Sequence, residues 1–163
     1  DQPTDALAAA EEFLATRAEL GLGLTYYPVK RVLAQAVEAA LEGGEPGKAE
    51  SLLGMVRAAQ PGQVTPWLRA QAARLSARVS AAAAKHEAVE PGFEAAEAGF
   101  RDLGTPFDLA VTLTEHSEWL IERGRHDKAA PLRAEARDVF ERLQARPWLE
   151  RLGLLAGEES VPA

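Results

Sequence analysis

Gly104-Thr105-Pro106-Phe107 is preceded forty residues earlier by Val64-Thr65-Pro66-Trp67, and Thr25 with Tyr27 stands one further interval upstream. Threonine before a proline is a helix start: the hydroxyl caps the first turn, and proline is harmless where its missing N–H would have no partner anyway. The same spacing relates Gly44, Ala84 and Gly124, then His86 and His126, Pro91 and Pro131, Phe100 and Phe140, and Leu103 and Leu143. A fixed period of this size marks a stacked array of like supersecondary units.

Working outward, glycine and proline punctuate the chain at Gly21 to Gly23, Gly43 to Gly47, Pro61-Gly62, Gly104 to Pro106, Gly124 and Pro147. The intervals are of helix length, and no alternating strand pattern occurs. The spacing predicts a leading helix over residues 4–20. First members of three helix pairs follow at 26–42, 66–84 and 106–123, with second members at 46–59, 87–103 and 127–143. Arg146-Pro147-Trp148 opens as though a fourth unit were starting. The expectation is an all-α array of about seven helices plus a short C-terminal helix. It forms one domain over 1–155, with repeats at 25–63, 65–103 and 105–145, a last helix at 147–155 and a flexible tail at 156–163. Leu109, Leu113 and Leu120 are expected to meet Ala129, Leu132, Ala136, Phe140 and Leu143, with the repeat aromatics filling gaps between units.

Gly124-Arg125-His126-Asp127-Lys128-Ala129, with Ser117 before it and Ala136 after it, resembles the tetratricopeptide repeat, and Gly44 with Lys48-Ala49 and Val56 echoes that pattern. The resemblance implies a right-handed superhelical α-solenoid of helix-turn-helix units. The second unit departs from it: Ala84 stands at the turn glycine, and Ala73, Ser76, Ala77 and Ser80 stand where larger side chains are usual. From Glu94 to Arg151 the chain is also similar to the repeat region of large bacterial signalling proteins. There a cyclase, kinase or LuxR-type module is joined to a signal-transduction ATPase. That resemblance implies a regulatory piece of a longer polypeptide.

The formal net charge is −7, and basic residues are interspersed with acids, as in Arg31 to Glu38 and Arg133 to Arg142. Such a surface repels phosphate backbones, so direct nucleic-acid binding is not expected. There is no cysteine, hence no disulfide framework and no thiolate metal site. No run reaches membrane-span length, and Asp1-Gln2-Pro3-Thr4-Asp5 lacks the form of a signal peptide, so the expected location is the cytoplasm.

Motifs with chemical potential read as punctuation. His86 and His126 sit one repeat apart and are expected at helix starts or on the surface with His116, holding no metal. Gly43-Gly44-Glu45-Pro46-Gly47-Lys48 follows a helix, not a strand, and lacks the spacing and hydroxyl of a phosphate-binding loop. Glu11-Glu12, Glu87 with Glu90, and Glu158-Glu159 have no nucleophile beside them. No catalysis and no cofactor are expected.

Function is expected on the inner row of first members. Aligned on the turn positions, Arg31 and Gln71 fall in one row, Arg74 and Thr114 in a second, and Glu38, Arg78 and Glu118 in a third. This mixed polar stripe could clamp a peptide or a neighbouring domain of the same polypeptide. The leading expectation is a protein-interaction scaffold. The alternatives are a structural or homo-oligomerising module and, below it, a small-ligand sensor or enzyme.

Overall fold

The computed structural model describes residues 2–17 and 19–158, with side chains described for 7–17 and 19–153. Among the described residues there are eight α-helices and no strand. They are α1 (Gln2–Thr16), α2 (Tyr27–Glu42), α3 (Pro46–Arg57), α4 (Pro66–Ala82), α5 (Val89–Leu103), α6 (Pro106–Ile121), α7 (His126–Arg142) and α8 (Arg146–Glu158), with a 3-10 turn (His86–Ala88) leading into α5. Of the tail expected at 156–163, residues 156–158 instead continue α8, and 159–163 lie outside the described residues.

Local turn chemistry accounts for these limits. Each first member of a pair ends with a residue in the left-handed region: Gly44 at φ +72°, Ala84 at +56° and Gly124 at +69°. The next residue's N–H then returns to a carbonyl five positions back, Glu45 to Ala40 (2.8 Å), Lys85 to Ser80 (2.8 Å) and Arg125 to Leu120 (2.9 Å). This is the closure that satisfies the orphaned carbonyls of a helix end. The second members α5 and α7 end alike, with Thr105 N–H on Phe100 and Ala145 N–H on Phe140, whereas α3 ends at Arg57 without that closure.

The first-member starts of α4, α6 and α8 fall in one register, and α2 starts one position later, with Lys30 N–H on Tyr26. The N–H groups of Arg69, Leu109 and Leu149 reach the carbonyls of Thr65, Thr105 and Ala145, so α8 begins in the register of α4 and α6. Thr65 caps as expected, its hydroxyl oxygen accepting from Leu68 N–H at 3.2 Å. Thr105 does not cap. Its hydroxyl donates to the Phe100 carbonyl (3.4 Å), drawn back by the same acceptor that takes its N–H. The leading helix stops four residues short of Leu20, where the Thr16 hydroxyl donates to the Glu12 and Phe13 carbonyls and Gly21 turns the chain at φ +65°.

The chain divides into two compact units, 1–99 and 100–163. In the first, α2 contacts α1, α3 and α4, and α3 contacts α4. Val29, Leu33 and Val37 share a buried core with Ala49, Leu53, Leu75 and Val79. On its other side α4 meets α5 through small residues. A Cβ on Gly92 would stand 3.0 Å from the Ala77 Cβ, and one on Gly99 only 2.9 Å from the Ala70 Cβ. The small side chains that set the sequence of the second repeat (65–103) apart include Ala77 of this close helix approach.

In the second unit α7 contacts both α6 and α8. Leu109, Leu113, Leu120, Ala129, Ala136 and Phe140 are buried as expected. Phe140 stacks on Trp148 (5.4 Å between centroids, 19° between planes) and takes Phe107 edge-on at 6.0 Å. Leu143 is not in the core: it lies just past the end of α7 and is half exposed. The gap-filling role is met only in part by Phe107, which touches Phe140 and Trp148 but is 44% exposed, and not by Tyr27, which is 64% exposed.

Candidate functional site

Helical geometry brings the polar residues of the first members together within each unit, and most of them find partners there. On α4, Arg74 is only 4% exposed. Its guanidinium forms an ion pair with Glu38 of α2, and its Nε–H donates to Gln71 Oε1 at 3.1 Å. Gln71 is buried beside it, one helical turn away. Arg74 and Gln71 therefore join α4 to α2 instead of standing out as an open clamp. A guanidinium taken from water needs such bonds, because an uncompensated buried charge is strongly unfavourable.

The second unit repeats the device. Glu118 of α6 accepts two bonds from Arg151 of α8, from Nε at 2.6 Å and Nη2 at 2.5 Å. That hydrogen-bonded carboxylate raises the Arg151 pKa above the ordinary guanidinium value. Arg133 of α7 adds a bond to the Leu152 carbonyl at 3.1 Å, so α8 is held from two helices. Glu118 follows Glu38 by two repeat intervals, and Arg151 follows Arg31 by three. In each unit a glutamate of one first member is thus bound by an arginine of the next.

Thr114, expected on the stripe, is fully buried, and its hydroxyl donates to the Ala110 carbonyl of its own helix at 2.8 Å. It offers nothing to a partner. Arg78 is half-buried and Arg31 is exposed. Arg31 lies over the Trp67 ring at 5.5 Å, and Lys30 sits between Tyr27 (5.4 Å) and the same Trp67 (5.6 Å). These are cation–π contacts of modest strength at an exposed site.

The other candidates fall as follows. His86 and His126 open the 3-10 turn and α7 and are exposed, whereas His116 is buried in α6 beside Trp119. No group of three metal-ligating side chains occurs among the described residues. The glycine-lysine segment links α2 to α3, and Lys48 is bound to Glu45 at 2.9 Å, a hydrogen bond that raises the amine's pKa.

The sequence reading missed a groove between α1 and α2. It encloses about 530 Å³, with Ala9, Ala10, Phe13, Val32, Ala36 and Ala39 as its apolar lining and Gln35, Glu38 and Glu42 at its polar positions. The signal was present: alanines at 9, 36 and 39 leave helix faces low enough for another backbone to approach. What hid it was the pairing of α1 with α2, which a repeat count does not supply.

No model of a known protein family matches the chain, and no curated protein is matched by its sequence. Among the described residues no helix is long and apolar enough to cross a membrane.

Proposed function

We propose that this chain is a protein-interaction scaffold: a right-handed, tetratricopeptide-like helical array that serves as a regulatory repeat domain of a bacterial cytoplasmic signalling protein. The carrying observation is the α1–α2 groove, whose apolar lining and polar edge have the composition of a surface that accepts an amphipathic helix. Two features support the array. Most helix starts and ends recur at one interval, and glutamate–arginine pairs link successive first members in each unit. The reading assigns the chain no catalysis, and its ligand is a protein segment rather than a nucleic acid or a membrane.

The test is selection of helical peptides from a displayed library against the immobilised protein, followed by titration of the winners into wild type and Ala39→Glu. The expected result is micromolar binding that the glutamate abolishes while the circular dichroism spectrum is unchanged. Failure to select any peptide sensitive to Ala39→Glu would overturn the reading.

A further inference from the structure

The polar edge of the α1–α2 groove has a direction, and the sequence of α2 sets it. Among the described residues α1 lends the groove only Ala9, Ala10 and Phe13, so its charge comes from α2. Arg31, Gln35, Glu38 and Glu42 recur at helical spacing and form one stripe along that edge. The last three line the groove, and Arg31 lies one turn beyond Gln35. The stripe therefore begins basic and ends acidic, its outer charges eleven positions apart, or about 16 Å along the helix.

The middle of the stripe is spent and its ends are open. Glu38 is bound by Arg74 of α4. Arg31 is exposed over the Trp67 ring and has no carboxylate partner among the described residues. Glu42 is exposed and has no cation partner among them. The order of these charges also runs against the dipole of their own helix. A helix N-terminus is partly positive and favours acids, while its C-terminus favours bases. Helix α7 obeys, with Asp127 in its first turn and Arg142 in its last. Helix α2 has no acid in its first turn and no base in its last; Lys30 and Arg31 are its fourth and fifth residues and Glu42 its last. Residues 20–37 contain neither Asp nor Glu, so the loop before α2 does not offset the positive end. Dipole and side chains add instead of cancelling. That weakens α2 alone and strengthens its attraction for a ligand of opposite polarity.

We propose that the groove selects a partner helix by two opposite charges about three turns apart on one edge, an acidic residue on Arg31 and a basic residue on Glu42. Their order along the partner fixes its direction: acid first lays it parallel to α2, base first antiparallel. The proposal rests on the groove reading above and names the charge pattern of its ligand.

The probes are helical peptides selected on the wild-type protein whose binding Ala39→Glu abolishes. They are expected to carry an acid and a base about eleven positions apart. Calorimetric titration should show binding weakened about fivefold or more by Arg31→Glu or Glu42→Lys alone, through like-charge juxtaposition. Both substitutions in one chain exchange the ends of the stripe, so binding returns with the peptide reversed. A photoreactive group at the peptide N-terminus reads the reversal, its cross-link moving from one end of α2 to the other. Selected peptides without the charge pair overturn the proposal. So does binding that ignores both single variants, or a double variant that fails to restore binding or leaves the cross-link in place. All of these leave the groove reading standing, because Ala39→Glu still abolishes binding. If no peptide sensitive to Ala39→Glu is selected, the groove reading fails and this proposal with it.

Discussion

Gly99→Ala sets two effects of known size against each other. Alanine is a better helix former than glycine by about 1 kcal/mol in a helix interior, so the substitution should stabilise α5 if space allows. Space does not allow it: the new Cβ would lie 2.9 Å from the Ala70 Cβ. Unbonded carbons settle at roughly 3.5 to 4.0 Å, so the helices must separate by about 0.6 Å or more. The blocking atom is a Cβ fixed to a helical backbone, with no rotamer through which to yield. Forcing an extra carbon into a packed contact costs about 1 to 3 kcal/mol, which outweighs the propensity gain in most of that range. The expected net effect is destabilisation by up to about 2 kcal/mol. Gly54→Ala in α3 is the control, because its Cβ would meet nothing within 4 Å and should be stabilising by up to about 1 kcal/mol. Urea unfolding followed by far-ultraviolet circular dichroism reads both. Adding Ala70→Gly to Gly99→Ala removes the opposing Cβ, and the double variant should show favourable coupling of about 1 kcal/mol. Equal stabilisation by the two glycine substitutions would refute the close α4–α5 approach.

Other substitutions probe separate contacts. Phe140→Ala should cost about 3 to 5 kcal/mol, since the ring is fully buried against Trp148 and Phe107; a loss below about 1 kcal/mol in urea unfolding would remove it from the core. Ala84→Gly should stabilise by about 1 kcal/mol because φ +56° strains any residue with a Cβ, and an unchanged melting temperature would show that the turn relaxes. Glu118→Ala should cost only about 0.5 to 1 kcal/mol, as Arg151 is partly solvated, yet it should speed amide exchange across α8; exchange unchanged over residues 146–153 would mean that the ion pair does not hold that helix.

Element positions were legible because they depend on neighbours in sequence. A proline at the first helical position and a residue able to adopt positive φ at the end act over five or six residues. The three helix pairs could therefore be placed from breakers alone, and even Ala84 was correctly set at the turn position. Errors arose at helix ends: α1 stopped at Thr16, ahead of the Gly21 turn, and Thr105 turned back to Phe100. The candidate face was less legible. Arg31 and Arg74 are both arginines in first members, yet one is exposed over Trp67 and the other is buried against Glu38 and Gln71. Thr114 gave no sign in sequence that its whole side chain would be enclosed.

By itself, then, the sequence determined an all-helical chain with a forty-residue period, the limits of most helices and the conformation of their turns. These follow from backbone preference and short-range hydrogen bonding, which each segment carries with it. The tertiary structure alone decided which polar groups on the first members are spent on one another and which remain open, and it revealed the groove between α1 and α2. Those outcomes depend on how closely two helices approach and at what register. That distance is set jointly by residues far apart in the chain, such as Gly99 and Ala70, so no local reading contains it.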